Sequence, residues 1–333
     1  MQAVVLVGGF GTRLRPLTDT IPKQMLPVGN RPMIERVLEH LAGHGVTSAV
    51  LALGYRADVF QDAYPDGTCA GVELHYAIEP EPRDTAGAIR FAALDAGIHE
   101  RFLVLNADVL TDLDVGMLVA THERTGAEGT IALHRVEDPS AFGVVPTDAD
   151  GRVTAFIEKP PPGEAPTNLI NAGVYVLEPS VLERIPLDVP VNVERVTFPA
   201  MVADGSLFAV DGDTYWIDAG TPETYLAANL DLLNGRRPSV EAGVHPDAEV
   251  DGAVVESVVG ASAHIAEGAV VSRSVVFRSA HIGAGALVRD AIIGTRAQVG
   301  AGAVLEGGTV VGDDMVVPAG AQLTGVRIPE EGE

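Results

Sequence analysis

Gln2-Ala-Val-Val-Leu-Val7 runs straight into Gly8-Gly-Phe-Gly-Thr-Arg-Leu-Arg-Pro-Leu-Thr18, and Pro22-Lys23 follows. An apolar run of strand length that ends in a glycine turn is how an open α/β sheet begins. Glycine lets the backbone come close to a ligand and adopt dihedrals closed to other residues, so the N–H groups of such a turn can wrap a phosphate. The string lacks the Gly-Lys-Ser/Thr of a Walker A loop, and it is not Gly-x-Gly-x-x-Gly. Many βα turns carry glycines for geometry alone. Thr12-Arg13 directly after Gly11, with a lysine at a set distance, makes this string more specific than that.

The lysines are the second clue. Of 22 basic residues only Lys23 and Lys159 are lysine. An ammonium is a compact point charge and a guanidinium a planar fork, so the two are not interchangeable at a crowded phosphate. Lys23 lies behind the glycine turn and Lys159 in Phe156-Ile-Glu-Lys-Pro160, both segments suited to holding phosphate.

Up to about Asn234, strand-like and helix-like stretches alternate, the pattern of an α/β domain with a largely parallel sheet. Strands are expected at Gln2–Val7, Ser48–Leu53, Glu73–Ile78, Arg101–Asn106, Gly129–Val136, Arg152–Glu158 and Leu169–Leu177. Asn30 is expected to cap a helix that carries Pro32 in its first turn and stops at Gly43 and Gly45. A second helix is expected from about Ala86 to Ala96. Thr221 is expected to cap a last one, with Pro222 at its start and Gly235 beyond its end. Gly235-Arg-Arg-Pro238 reads as a linker. Beyond it aliphatic residues recur every six positions, as in Val259, Ile265, Val271, then Val276, Ile282, Val288, then Ile293, Val299, Leu305, then Val311, Val317, Leu323. Each triplet predicts one triangular coil of a solenoid that buries its aliphatic face only by stacking on its neighbours. Val244 and Val250 begin an imperfect first coil. The expected boundaries are a catalytic domain over 1–235, a linker over 236–243, a β-helix over 244–327 and a tail over 328–333.

Bulk properties narrow the function. At 333 residues and 47% apolar, the chain is long enough for two domains with a sizeable core. No apolar run approaches the roughly 20 residues a membrane span needs. Met1 leads directly into the first strand without a basic leader, and Cys69 is the lone cysteine, so a cytoplasmic protein without disulfides is expected. A formal charge of −24 argues against non-specific binding to nucleic acid or to an anionic membrane. An anionic substrate must then be held by local cations, metal ions and backbone N–H groups.

The glycine-turn string resembles the signature of the sugar-1-phosphate nucleotidyltransferases. Later strings agree with that family in order: Asp84-Thr-Ala-Gly87, Leu105-Asn-Ala-Asp108, Phe142-Gly-Val-Val145, Phe156-Ile-Glu-Lys-Pro160, Ile170-Asn-Ala-Gly-Val-Tyr175, Val193-Glu-Arg-Val-Thr-Phe-Pro199 and Tyr215-Trp-Ile-Asp-Ala-Gly-Thr-Pro222. The branch that transfers guanylyl to mannose 1-phosphate is the most similar, on the Asn-Ala-Gly-x-Tyr, Glu-Arg-x-x-Phe-Pro and Tyr-Trp-x-Asp-x-Gly-Thr-Pro strings. The repeats resemble the hexapeptide coils of left-handed parallel β-helices, which also occur in this family. The fold implied is a Rossmann-like nucleotidyltransferase domain with a mostly parallel mixed sheet, followed by a left-handed parallel β-helix.

The resemblance implies roles residue by residue. Arg13, Lys23 and Lys159 would be catalytic. Arg13 would clamp the β- and γ-phosphates, Lys23 would reach the phosphates, and Lys159 would hold the sugar phosphate. Leu6, Gly8, Gly9, Gly11, Thr12, Arg13 and Lys23 would bind the nucleotide, with Asp84, Thr85 and Gly87 near its base. Gly143, Glu158, Lys159 and Asn171 would bind the sugar. Asp108 and Asp218 would hold Mg²⁺, which takes one or two carboxylates plus substrate phosphates. GTP and mannose 1-phosphate would be the substrates. Asp84 stands where the family string has glycine, and Gln24-Met25 is more like thymidylyl- or uridylyltransferases, so the base stays open at this point. A non-catalytic regulatory subunit would share the fold but lose these phosphate and metal ligands. His264 and His281 on the repeats raise an acyltransferase alternative. Coils without an inserted loop favour a structural or oligomerising role, and a homo-oligomer is expected.

Overall fold

The computed structural model describes residues 1–54, 56–237 and 240–329. Residues 238 and 239 of the expected linker and residues 330–333 of the expected tail lie outside the described residues. The chain forms two compact units, one of Met1–Gly9 with Glu35–Trp216 and one of Phe10–Ile34 with Ile217–Glu333.

The first unit is built on a ten-stranded sheet. In chain order its strands are β1 (Gln2–Leu6), β2 (Ser48–Leu53), β3 (Thr68–Cys69), β4 (Val72–Ile78), β5 (Phe102–Asn106), β6 (Gly129–Arg135), β7 (Gly143–Val144), β8 (Ile157–Glu158), β9 (Leu169–Leu177) and β10 (Leu207–Asp211). They lie in the order β8-β7-β9-β5-β1-β2-β4-β3, with β6 also paired to β9 and β10 to β6. β1 runs parallel to β2 and β5, and β2 parallel to β4. β9 runs antiparallel to both β5 and β6, which makes the sheet mixed. Ala3, Val4 and Val5 are wholly buried, as expected of a central parallel strand covered on both faces.

Helices α1 (Met33–Gly43), α2 (Ala57–Ala63), α3 (Asp84–Asp95), α4 (Val115–Thr125) and α5 (Phe198–Ala203) connect the strands. Neither α2 nor α4 is among the helices expected from the sequence. Yet α4 is well marked: the Asp114 carboxylate accepts from Gly116 N at 2.8 Å, and Gly126 closes the helix at φ 60°. Two expectations need correction. Asn30 caps no helix. It turns a hairpin between Pro27–Val28 and Arg31–Pro32, made possible by Gly29 at φ 66°, and α1 begins only at Met33. Of the strand expected over Arg152–Glu158, only Ile157–Glu158 forms a strand of the sheet. Thr154 bonds back to the Pro146 carbonyl through both its N–H and its hydroxyl, which turns the chain away from a continuous ladder.

The second unit holds the loop Phe10–Ile34, α6 (Pro222–Leu233) and the repeats. Thr221 caps α6 reciprocally with Thr224, a capping box. The repeats stack into three all-parallel sheets of five strands each, the architecture of a left-handed β-helix. Ile265, Val271, Ile282, Val288, Ile293 and Leu305 are wholly buried along its axis. Glycines seal it where coils touch: a Cβ on Gly283 would stand 2.7 Å from Ala301 N and 2.8 Å from Val299 O of the next coil.

Candidate active site

Within the first unit, the carboxyl ends of β1 and β5 lie side by side, with Leu6 paired to Asn106. Open α/β sheets bind ligands beyond such ends. Gly8 and Gly9 leave β1 exposed, and Gly9 at φ 98° takes a conformation reserved for glycine. Half-buried Asp108 lies two residues past the end of β5.

Gly143, Glu158, Lys159 and Asn171 come together through β7, β8 and β9. Gly143 pairs with Glu158, and a Cβ on it would stand 2.7 Å from the Phe156 ring, so only glycine fits. The Lys159 ammonium is 3.8 Å from Glu158 Oε1. The Glu158 side chain is 17% exposed and that of Lys159 61%, so the cation reaches outward from a sunken carboxylate. Glu158 Oε2 is buried without a hydrogen-bond partner in the protein. Lys159 sits at φ 51°, a left-handed conformation that aims its side chain differently from an ordinary strand residue.

Asn171 is buried at a bulge in β9, where the register against β6 shifts before Tyr175. Its Nδ2 donates to Tyr175 Oη at 2.9 Å and to Glu194 Oε1 at 2.6 Å, and its Oδ1 accepts from Gly173 N at 3.0 Å. Glu194 belongs to a π-helical turn, Val193–Thr197, which leads into α5. Asn192 caps that turn by accepting from Glu194 N and Arg195 N. Burial, and then the nearby Glu158 carboxylate, push the Glu194 carboxyl up to about 7. Burial also holds the Tyr175 phenol neutral, well above its ordinary range. Glu194 lies inside the Val193–Pro199 string but is not among the site residues expected from the sequence. Its one signal was an acidic residue two positions after a capping asparagine in an apolar stretch.

Asp84, Thr85 and Gly87 open α3. Asp84 has φ 55°, and its Oδ1 accepts from Thr85 N at 2.6 Å and from Asn192 Nδ2 at 3.1 Å. Thr85 Oγ1 accepts from Val193 N at 2.8 Å, and the Gly87 N–H meets the Val191 carbonyl at 3.3 Å. These side-chain and backbone groups therefore tie α3 to the segment before the π turn.

The second unit carries Gly11, Thr12, Arg13, Lys23 and Asp218. Gly11 at φ 61° precedes a single tight turn, Thr12–Leu14. Its carbonyl accepts from Thr18 Oγ1 at 2.8 Å, and a Cβ on it would crowd Thr18 and stand 3.3 Å from Lys23 Cβ. Arg13 and Asp218 converge on Gly220, where a Cβ would stand 2.6 Å from Arg13 Nη2 and 2.7 Å from Asp218 Oδ1. That cradle brings a carboxylate and a guanidinium against one glycine, which has no side chain to part them. Gln24, next to Lys23, is buried with neither amide atom hydrogen-bonded to protein. Among the described residues no group of three or more His, Cys, Asp or Glu side chains is placed to hold a metal. No helix among them is long and apolar enough to cross a membrane.

A family model described as nucleotidyl transferase matches residues 2–235, and one described as GMPPB C-terminal domain matches residues 239–330. Mannose-1-phosphate guanylyltransferase of Mycobacterium tuberculosis is 40% identical over 280 residues, which cover 80% of this chain and 77% of that protein. Mannose-1-phosphate guanyltransferase of Emericella nidulans is 45% identical over 232 residues, 68% of this chain and 62% of that protein. The structure of HddC from Yersinia pseudotuberculosis complexed with GMP-PN is similar at 31% identity and a TM-score of 0.60, covering 68% of this chain and 97% of that one. The first match takes in every motif from the glycine turn to Thr221-Pro222, and the chain belongs to the nucleotidyl transferase family.

Proposed function

We propose that this chain transfers guanylyl from GTP to mannose 1-phosphate, giving GDP-mannose and pyrophosphate. It is a nucleotidyltransferase. The names of its relatives favour mannose and GTP over glucose thymidylyl or uridylyl transfer, and favour an enzyme over a non-catalytic subunit. The observation that carries the sugar half is the cluster of Glu158, Asn171 and Glu194 beside the outward-reaching Lys159. Carboxylate and amide oxygens at the floor of a site suit a ligand rich in hydroxyls, and a lysine at its rim suits a phosphate.

In the proposed reaction an oxygen of the sugar phosphate attacks the α-phosphorus. A new P–O bond forms there as the bond to the β-phosphate oxygen breaks, and pyrophosphate leaves with the electron pair. The nucleophile is already anionic, so the protein must position and neutralise charge more than remove a proton. Lys159 draws the sugar phosphate toward the α-phosphorus. Arg13 and Lys23 hold the triphosphate and take up charge on the leaving pyrophosphate. Leu6, Gly8, Gly9, Gly11 and Thr12 line the nucleotide through their backbone. Asp84, Thr85 and Gly87 shape the base contact, and Gly143 meets the sugar through its backbone. Asp108 and Asp218 are the proposed ligands of a divalent cation, Mg²⁺, which when bound shields the phosphates from one another. A cytoplasmic homo-oligomer, with a catalytic domain over 1–235 and a β-helix over 244–327, belongs to the same proposal.

The test is a product assay with each of four nucleoside triphosphates against mannose 1-phosphate and glucose 1-phosphate. GDP-mannose is expected as the dominant product. A clear preference for dTTP or UTP with glucose 1-phosphate would overturn the reading.

A further inference from the structure

We propose that the β-helix positions the phosphate-binding loop, with Gly312 and Asp313 as positioning residues for Arg13 and Lys23; this rests on reading that arginine and lysine as phosphate ligands. The loop Phe10–Ile34 forms one compact unit with the repeats. Thr20 Oγ1 donates to Asp313 Oδ2 at 2.9 Å, across 293 positions of sequence. The other oxygen of that carboxylate accepts from Thr295 N, in the preceding coil, at 2.7 Å, so Asp313 is itself held by the solenoid. One residue earlier, a Cβ on Gly312 would stand 3.1 Å from both Cβ and Cγ of Pro16, so the coil backbone lies against that ring.

These two anchors bracket Thr18, whose hydroxyl bonds the Gly11 carbonyl. Gly11 in turn precedes the turn that carries Arg13 and stands against Lys23 Cβ. The far side of the loop is fastened as well. Asn229 Oδ1 accepts from Gly29 N at 2.8 Å, and the Tyr225 hydroxyl donates to the Pro27 carbonyl. The Tyr225 ring meets Phe277 of the β-helix edge-on at 6.3 Å. A loop fixed at both ends loses little freedom when it closes on a triphosphate, which is how preorganisation raises affinity. The Thr20–Asp313 bond is exposed, so it adds little to global stability. Loop position and overall stability are therefore separable.

The experiment uses the full chain. Thr20→Val removes the donor and keeps the shape, Thr20→Ser keeps the donor, and Asp313→Ala removes the acceptor. Thr20→Val and Asp313→Ala are expected to raise KM for the nucleotide about three- to tenfold with a smaller change in kcat, the range of one lost hydrogen bond. Their melting temperatures should stay close to wild type, and Thr20→Ser should behave as wild type. Hydrogen exchange of residues 10–26, measured without ligand, should quicken in the first two variants and not in Thr20→Ser. Unchanged exchange and unchanged KM in both variants would overturn the proposal, as would a loss of activity that tracks a falling melting temperature. If the wild type accepts no tested pair of substrates, the substrate reading fails. Exchange alone then decides the anchoring, faster supporting it and unchanged overturning it.

Discussion

The side-chain amide of Asn171 commits both its N–H groups inside the protein, to Tyr175 Oη and to Glu194 Oε1. One residue thereby joins the bulge of β9 to the π turn before α5. It also leaves Glu194 buried, with the Glu158 carboxylate nearby, and both raise the Glu194 carboxyl, burial the more.

The burial of Glu194 has a pH signature. The Glu194 carboxyl is raised from 4.5 to about 7, so the folded state binds a proton that the unfolded state releases. Its contribution to stability is full below about 4.5 and is lost as pH rises through about 7. Glu194→Gln removes the charge and keeps an acceptor for Asn171. Melting curves should show the variant gaining on wild type between pH 5 and pH 8, and its KM for the sugar phosphate should rise about tenfold. Parallel curves across that range would count against a raised Glu194 carboxyl.

Lys159 and Asp108 are expected to act in turnover and not in folding. The Lys159 side chain is 61% exposed and Asp108 half-buried. Lys159→Ala and Asp108→Ala should each lower kcat by about 10²–10³, the usual loss for one group that stabilises transition-state charge. Circular dichroism and melting should stay near wild type. An unchanged rate in either variant would remove that residue from the site.

Gly220→Ala tests the cradle between Arg13 and Asp218. The added methyl would stand within 2.7 Å of both side chains, so they must part. We expect kcat/KM for the nucleotide to fall at least about tenfold while the melting temperature moves little, because the displaced atoms are side-chain ends. Wild-type kinetics would show that the two groups need not both lie against Gly220.

Gly283→Ala should do the reverse. Its Cβ would meet backbone of the next coil, which cannot rotate away. A loss of about 1–3 kcal/mol is expected in denaturant unfolding, the usual cost of overpacking. Turnover at a temperature where the variant stays folded should match wild type. A neutral result would mean that the coils can spread without cost.

Much of the fold was legible because it repeats or alternates. The six-residue aliphatic period of the coils matches the column buried along the β-helix, and Ser48–Leu53 and Leu169–Leu177 form strands with the bounds the sequence suggests. Helix α4 went unread, although Asp114 and Gly126 mark its ends. Asn30 and Pro32 carry the local chemistry of a helix start, yet Pro27–Pro32 forms a hairpin. Its turn depends on Met33 N bonding back to the Leu26 carbonyl, which no propensity encodes.

By itself, the sequence determined the two kinds of architecture and the residue types able to meet phosphate and sugar, since both follow from period and side-chain chemistry. Tertiary structure alone decided that Glu194 stands beside Glu158, that Arg13 and Asp218 both lie against Gly220, and that Asp313 holds Thr20. Such neighbours are far apart in the chain or ordinary in composition. Their energies depend on burial and separation, which exist only once the chain has folded.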